Sequence, residues 1–117
     1  MSIGILLYED NNDLRESLSN MINFSKDLVL LGSFPDVIKV DQQVREMNPD
    51  VILMDIDMPG KNGIEAVRII RKFNQNAQIM MLTVFDDNRN VFQAISNGAN
   101  GHVLWRPLRR REGSVGQ

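Results

Sequence analysis

The chain has 117 residues, 43% apolar and 24% charged, with no cysteine and a net charge of −2. It is long enough for one domain with its own core, and it excludes a disulfide framework, a thiolate metal site and any run of the roughly 18 apolar residues a membrane helix needs. The amino terminus has no basic region and turns acidic at Glu9, unlike a secretory signal, so a cytoplasmic protein is expected.

Ile3 to Tyr8 is an apolar run that reads as a first strand, ending in Glu9-Asp10. Asp13 with Glu16 has the spacing of a capping box, and Leu14, Leu18, Met21 and Ile22 follow at helical spacing. Leu28 to Phe34 reads as a second strand interrupted by Gly32. Asp36 is placed to cap a helix with Val37, Val40, Val44 and Met47 on its apolar face, and Pro49 stops it. Val51-Ile52-Leu53-Met54 reads as a strand buried on both faces, ending at Asp55. Pro59, Gly60 and Gly63 keep the chain out of helix until near Ile64. A third helix carries Ile64, Val67, Ile70 and Phe73. A fourth strand runs from Ile79 to Val84. A fourth helix presents Val91, Phe92 and Ile95 and ends at Gly98. Gly101 to Trp105 reads as a short fifth strand. This alternation predicts a parallel sheet with helices on both faces.

Glu9 and Asp10 end the first strand, Asp55 the third and Thr83 the fourth, so all lie along one edge of the sheet. In the doubly wound order 2-1-3-4-5 the first and third strands are neighbours at the switch point, where such sheets bind ligands. Three carboxylates meeting there repel one another, and a hard divalent cation, Mg2+, relieves that repulsion. As solvated turn residues Glu9 and Asp10 need no partner, but Asp55 fixed opposite them favours a site.

Tyr8-Glu9-Asp10, Val51 to Asp55, Met58-Pro59-Gly60 with Gly63, Leu82-Thr83 and Gly98-Ala99-Asn100-Gly101 resemble, in order and spacing, the receiver domain of two-component response regulators, most of all the receivers that carry a helix-turn-helix. The resemblance covers about residues 3–104. It implies a flavodoxin-like fold, a histidine kinase as partner, and Asp55 as the nucleophile taking the phosphoryl group. It further implies Mg2+ on Asp10 and Asp55, Glu9 acting through water, Asp57 lending its backbone carbonyl, and Thr83 donating to a phosphoryl oxygen. A carboxylate forms an acyl phosphate, and a metal offsets charge on the transferring group.

The chain departs from the family at the fifth strand, where Trp105 stands at the position of the expected lysine. Arg106-Pro107 imitates Lys-Pro only with a one-residue slip, which turns the side chain to the other face. His102, at the family's aromatic switch position, is expected to be partly buried packing rather than a proton carrier. Residues 1–105 form the expected receiver, with net charge −5 from nine Lys/Arg and fourteen Asp/Glu. An acidic body argues against nucleic-acid binding except through an output domain beyond this sequence. Residues 106–117 form a basic tail, four Arg against one Glu, without an apolar stripe. A last helix that is short or missing is therefore expected, with Ile3, Ile5 and Val103 partly uncovered, self-association as the relief, and an altered or truncated end as the explanation. Two other functions compete. One is a receiver-like interaction module that no longer switches, since the lysine is absent. The other is a haloacid-dehalogenase-type phosphatase using Asp55-Ile56-Asp57. That family places its Asp-x-Asp after the first strand, so this reading is the weakest.

Overall fold

The computed structural model describes residues 2–56, 58, 62–83 and 88–104, with the backbone alone for residues 83, 88–91 and 104. The elements alternate: β1 (Ile3–Tyr8), α1 (Asn12–Phe24), β2 (Leu28–Phe34), α2 (Val40–Met47), β3 (Val51–Asp55), α3 (Gly63–Arg71), β4 (Gln78–Thr83), α4 (Asn88–Ser96) and β5 (Gly101–Leu104). All strand pairs are parallel and the sheet order is β2-β1-β3-β4-β5, the doubly wound arrangement predicted above.

Alternation along the strands divides the sheet into two faces. Leu6, Tyr8, Ile52, Met54, Ile79 and Met81 are buried on one face, in a cluster with Val40 and Val44 of α2, Val67 and Ile70 of α3 and Ala94 of α4. On the other, Leu7 and Leu82 pack with Leu18 of α1, joined by the half-buried Leu14, Leu30 and Leu53. The interruption expected at Gly32 is a bulge: Ile5 pairs with Leu30 but Leu6 with Gly32, so Leu31 has no opposite number.

Several local expectations fail for identifiable reasons. Asp13 does not cap α1. Asn11 does, its Oδ1 accepting from Leu14 N at 2.9 Å. Asp36 Oδ1 accepts from Ile38 N at 3.1 Å and so closes a turn, while α2 begins later, at Val40. Val37 is still fully buried, but on that turn. On α4 the large residues Phe92 and Ile95 are exposed, Phe92 by 72%, and Ala94 is buried. The expected Trp105 at the end of β5, Arg106 as lysine substitute and the 106–117 tail lie outside the described residues.

At the edge of the sheet opposite the ends of β1 and β3, one arginine gathers three segments. Arg71 donates from Nε to Gly98 O (2.9 Å), from Nη1 to Asn74 O (3.1 Å) and from Nη2 to Asn100 Oδ1 (2.8 Å). The same Asn100 oxygen accepts from Ile79 N at 2.7 Å. Gly98 has φ +121° and follows α4, the position where the expected glycine stop was placed.

Candidate functional site

β1 and β3 are neighbours, with Tyr8 opposite Met54. The next residues, Glu9 and Asp55, therefore leave the sheet side by side at its carboxyl edge. Glu9 extends the pairing by one bond, donating from its N–H to Phe34 O at 3.0 Å. Asp10 follows in the turn to α1. One carboxylate oxygen from each of Glu9, Asp10 and Asp55 lies within 4.8 Å of the others. The sequence-predicted trio thus meets at one place.

The three acids differ in surroundings. Asp10 is exposed and Asp55 half-buried, but Glu9 is only 3% exposed. Burial pushes the Glu9 carboxyl above its ordinary value, with Asp10 adding to the rise, while a hydrogen bond from Asn11 N to Glu9 Oε2 (2.9 Å) and one shared with Asp55 oppose it. Asp55 is itself engaged in interactions at this edge. A buried carboxylate clustered with two further acids is costly unless a cation compensates it. The donor set is all hard oxygen, and the residues present fit Mg2+.

The start of α3 lies close against the end of β3. Gly63 N donates to Ile56 O at 2.8 Å. A Cβ on Gly63 would collide with the Asp55 carbonyl oxygen and lie 3.0 Å from its carbon. Glycine is required here for close approach, and it is the first residue of α3 rather than a residue holding the chain out of helix. Asn62 caps α3, its Oδ1 accepting from Glu65 N at 2.9 Å. Asn62 was not among the expected caps, although Asn62 and Glu65 have the spacing of an N-cap with an acid at the third helical position.

β4 ends at Thr83, one residue beyond the Asp55–Leu82 pair, so its backbone reaches the same edge. The Thr83 side chain and Asp57 lie outside the described residues. His102, opposite Met81 on β5, is exposed, not partly buried as expected. Arg15 was also missed. It reaches from α1 to the loop of Glu9, donating from Nη1 to Glu9 O at 2.8 Å. A solvent-facing cavity lined by Asn48, Asp50, Asn74, Gln75 and Asn76 lies at the opposite edge of the sheet, away from the carboxylates.

Comparison with known proteins identifies the family. The family described as response regulator receiver domain matches residues 5–112. Oxygen regulatory protein NreC of Staphylococcus aureus is 34% identical over 101 residues, covering 86% of this chain and 46% of that protein. Transcriptional regulatory protein LnrK of Bacillus subtilis is 29% identical over 102 residues, covering 87% of this chain and 46% of that protein. The chain spans about half the length of these curated relatives. A solved two-component response regulator of the LuxR family from Aurantimonas sp. SI85-9A1 superposes with a TM-score of 0.82 at 29% identity, over 89% of this chain and 74% of that one. With the family match spanning nearly the whole chain and the fold agreeing with it, this chain belongs to the response regulator receiver domain family.

Proposed function

We propose that this chain is a phosphoacceptor receiver that takes a phosphoryl group from a histidine kinase onto Asp55 and switches conformation to control an output. The observation that carries this reading is the convergence of Glu9, Asp10 and Asp55 on one edge of the sheet. Receiver domains as a family take part in phosphotransfer and bind Mg2+. In this chain Asp10 and Asp55 would hold the metal directly, with Glu9 acting through water and Asp57 through its carbonyl. When bound, the metal supplies neutralisation of charge on the transferring group. Asp55 sits on a rigid stem, since β3 pairs on both sides. Its carboxylate oxygen attacks phosphorus and forms an O–P bond as the N–P bond of the donor phosphohistidine breaks. The bond pair stays on the imidazole, which takes up a proton from solvent. Thr83 donates a hydrogen bond from its hydroxyl to a phosphoryl oxygen. The reaction is a transfer onto the protein, so Asp55 is a reactant rather than a turnover catalyst.

The domain is proposed to span residues 1–105, with 106–117 as a basic appendage. The protein is proposed to act in the cytoplasm; no described helix is long and apolar enough to cross a membrane. Self-association through the open face of the sheet, strengthened by the tail arginines against the acidic body, predicts a dimer that weakens as salt rises. Sedimentation at low and high salt checks it. The second reading, a receiver-like module that no longer switches, is favoured by Trp105 alone. Acetyl phosphate with and without Mg2+ separates the two. The expected outcome is one phosphoryl group added, dependent on Mg2+ and abolished in Asp55→Asn. Incorporation at an undiminished rate in Asp55→Asn removes the nucleophile assignment.

A further inference from the structure

We infer that Arg15 is a positioning residue for the metal and phosphoryl site, because its guanidinium fixes the peptide plane that joins Glu9 to Asp10. The bond from Nη1 goes to the Glu9 carbonyl oxygen, at 2.8 Å. That carbonyl belongs to the peptide unit leading into Asp10, and a peptide unit turns as a plane. Its orientation therefore sets where the Asp10 side chain leaves the backbone. The second arm of the fork, Nη2, donates to Asn12 Oδ1 at 2.7 Å and anchors the guanidinium to the first turn of α1. Arg15 is held from its other end as well. Its backbone N–H donates to Asn11 O at 2.8 Å, and its carbonyl accepts from Ser19 Oγ at 2.7 Å.

The loop needs such a stay. Three carboxylates lie within 4.8 Å of one another, and Asp10 is the exposed member, free of the packing that holds Glu9. Mutual repulsion drives Asp10 outward, toward water. The Glu9 side chain is tied by Asn11 N to its Oε2, and its N–H to Phe34 O. Its carbonyl is tied by Arg15. With all three groups of Glu9 engaged, the residue before Asp10 has one orientation. The side chain is half-buried and reaches back over the loop, unlike a solvated residue of an outer helix face. A lysine cannot reproduce the arrangement, since its single ammonium lacks the fork that serves the carbonyl and the amide oxygen together.

The metal readout rests on the phosphoacceptor reading, so the test has a second arm that does not. Mg2+ is titrated into the original chain, Arg15→Met and Arg15→Lys by calorimetry, and amide exchange is followed by NMR in the metal-free proteins. Partners that orient metal ligands change affinity by about ten- to a hundredfold when removed. Expected for Arg15→Met is Mg2+ affinity about tenfold weaker, and exchange of the Asn11 amide faster by at least a similar factor, with the β3 amides unchanged. Arg15→Lys should fall between. The direction of the metal effect is diagnostic. Removing a cation beside an anionic site strengthens Mg2+ binding if Arg15 acts through charge alone, so unchanged or tighter binding in Arg15→Met overturns the proposal. Unchanged exchange at Asn11 overturns it whatever the metal arm shows. Should Arg15→Met fail to fold, the graded loss expected in Arg15→Lys carries the same test. If the original chain binds no Mg2+, the phosphoacceptor reading fails, and the exchange arm alone decides whether Arg15 holds the loop.

Discussion

The two faces of the sheet are built to different standards. Under α2, α3 and α4, every second residue of β1, β3 and β4 is sealed: Leu6, Tyr8, Ile52, Met54, Ile79 and Met81 have no accessible surface. On the α1 face burial is complete only beside the helix. Leu7 and Leu82 are sealed and Ile5, expected to be partly uncovered, is buried, yet Ile3 and Val103, which lie on the same face, are each 42% exposed. A parallel sheet needs cover on both faces. Among the described residues α1, packed mainly over β1 and β2, is the cover on this side. The difference teaches where stability and adaptability reside. One face is a close-packed core in which any lost methyl is felt, and the other keeps apolar surface available to whatever packs there.

The largest expected effect tests this directly. Ile52→Ala should cost about 3–4 kcal/mol, because a sealed side chain leaves a cavity its neighbours cannot fill. Val103→Ala should cost about 1 kcal/mol or less, since nearly half of that side chain already meets water. Urea denaturation of both variants measures the contrast. Equal losses would show that β5 is covered after all, and the comparison would collapse.

A smaller effect is expected where the sealed face meets the acidic edge. Gly63 opens α3 against the Asp55 carbonyl, and a Cβ there collides with backbone rather than with a movable side-chain tip. Gly63→Ala should destabilise by about 2–3 kcal/mol through forced backbone displacement. It should also slow phosphorylation, because the displaced atoms belong to the nucleophile's own residue. Denaturation and the acetyl phosphate reaction, run on the same sample, check both halves. A variant that lost stability but phosphorylated at the original rate would confine the role of Gly63 to packing.

Much of this was legible in the sequence. Strong apolar runs located β1, β2 and β3 to the residue at their starts, and the positions of Glu9, Asp10 and Asp55 at strand ends followed from them. Local competition defeated the rest. Asn11 and Asp13 are both good caps within three residues, and the choice fell to the one whose oxygen reaches Leu14 N. Asp36 spends its oxygen on a turn before α2. On α4, apolar size pointed to Phe92 and Ile95, but close packing against the sheet admitted Ala94 instead. Arg15 and Arg71 act through backbone carbonyls, and a carbonyl leaves no mark on the sequence. Neither arginine could be singled out before the chain was folded.

The smallest expected effect has the opposite sign and belongs where the two faces meet, at Glu9. This carboxyl is almost fully buried and its folded pKa is raised, first by burial and then by Asp10. A raised folded value means that the folded state binds the proton more tightly than the unfolded state. The resulting stabilisation is fully present below the unfolded value, near the ordinary glutamate value of 4.5, and is lost as pH rises through the folded value. Above the unfolded value this buried carboxyl therefore costs the metal-free protein stability. Glu9→Gln removes the charge and keeps an oxygen to accept from Asn11 N. The metal-free variant should melt about 2–5 °C higher than the original chain at pH 7, a shift typical of a change near 1 kcal/mol or below. The gap should close as pH falls below the unfolded value, where both side chains are neutral. Mg2+ should reverse the order, raising the original chain more than the variant, because the ion stabilises the folded state only as far as it is bound. Calorimetric melting at several pH values with and without Mg2+ resolves the three signs. A gap independent of pH would mean that the buried Glu9 charge is compensated without a metal, and the case for a cation at this edge would weaken accordingly.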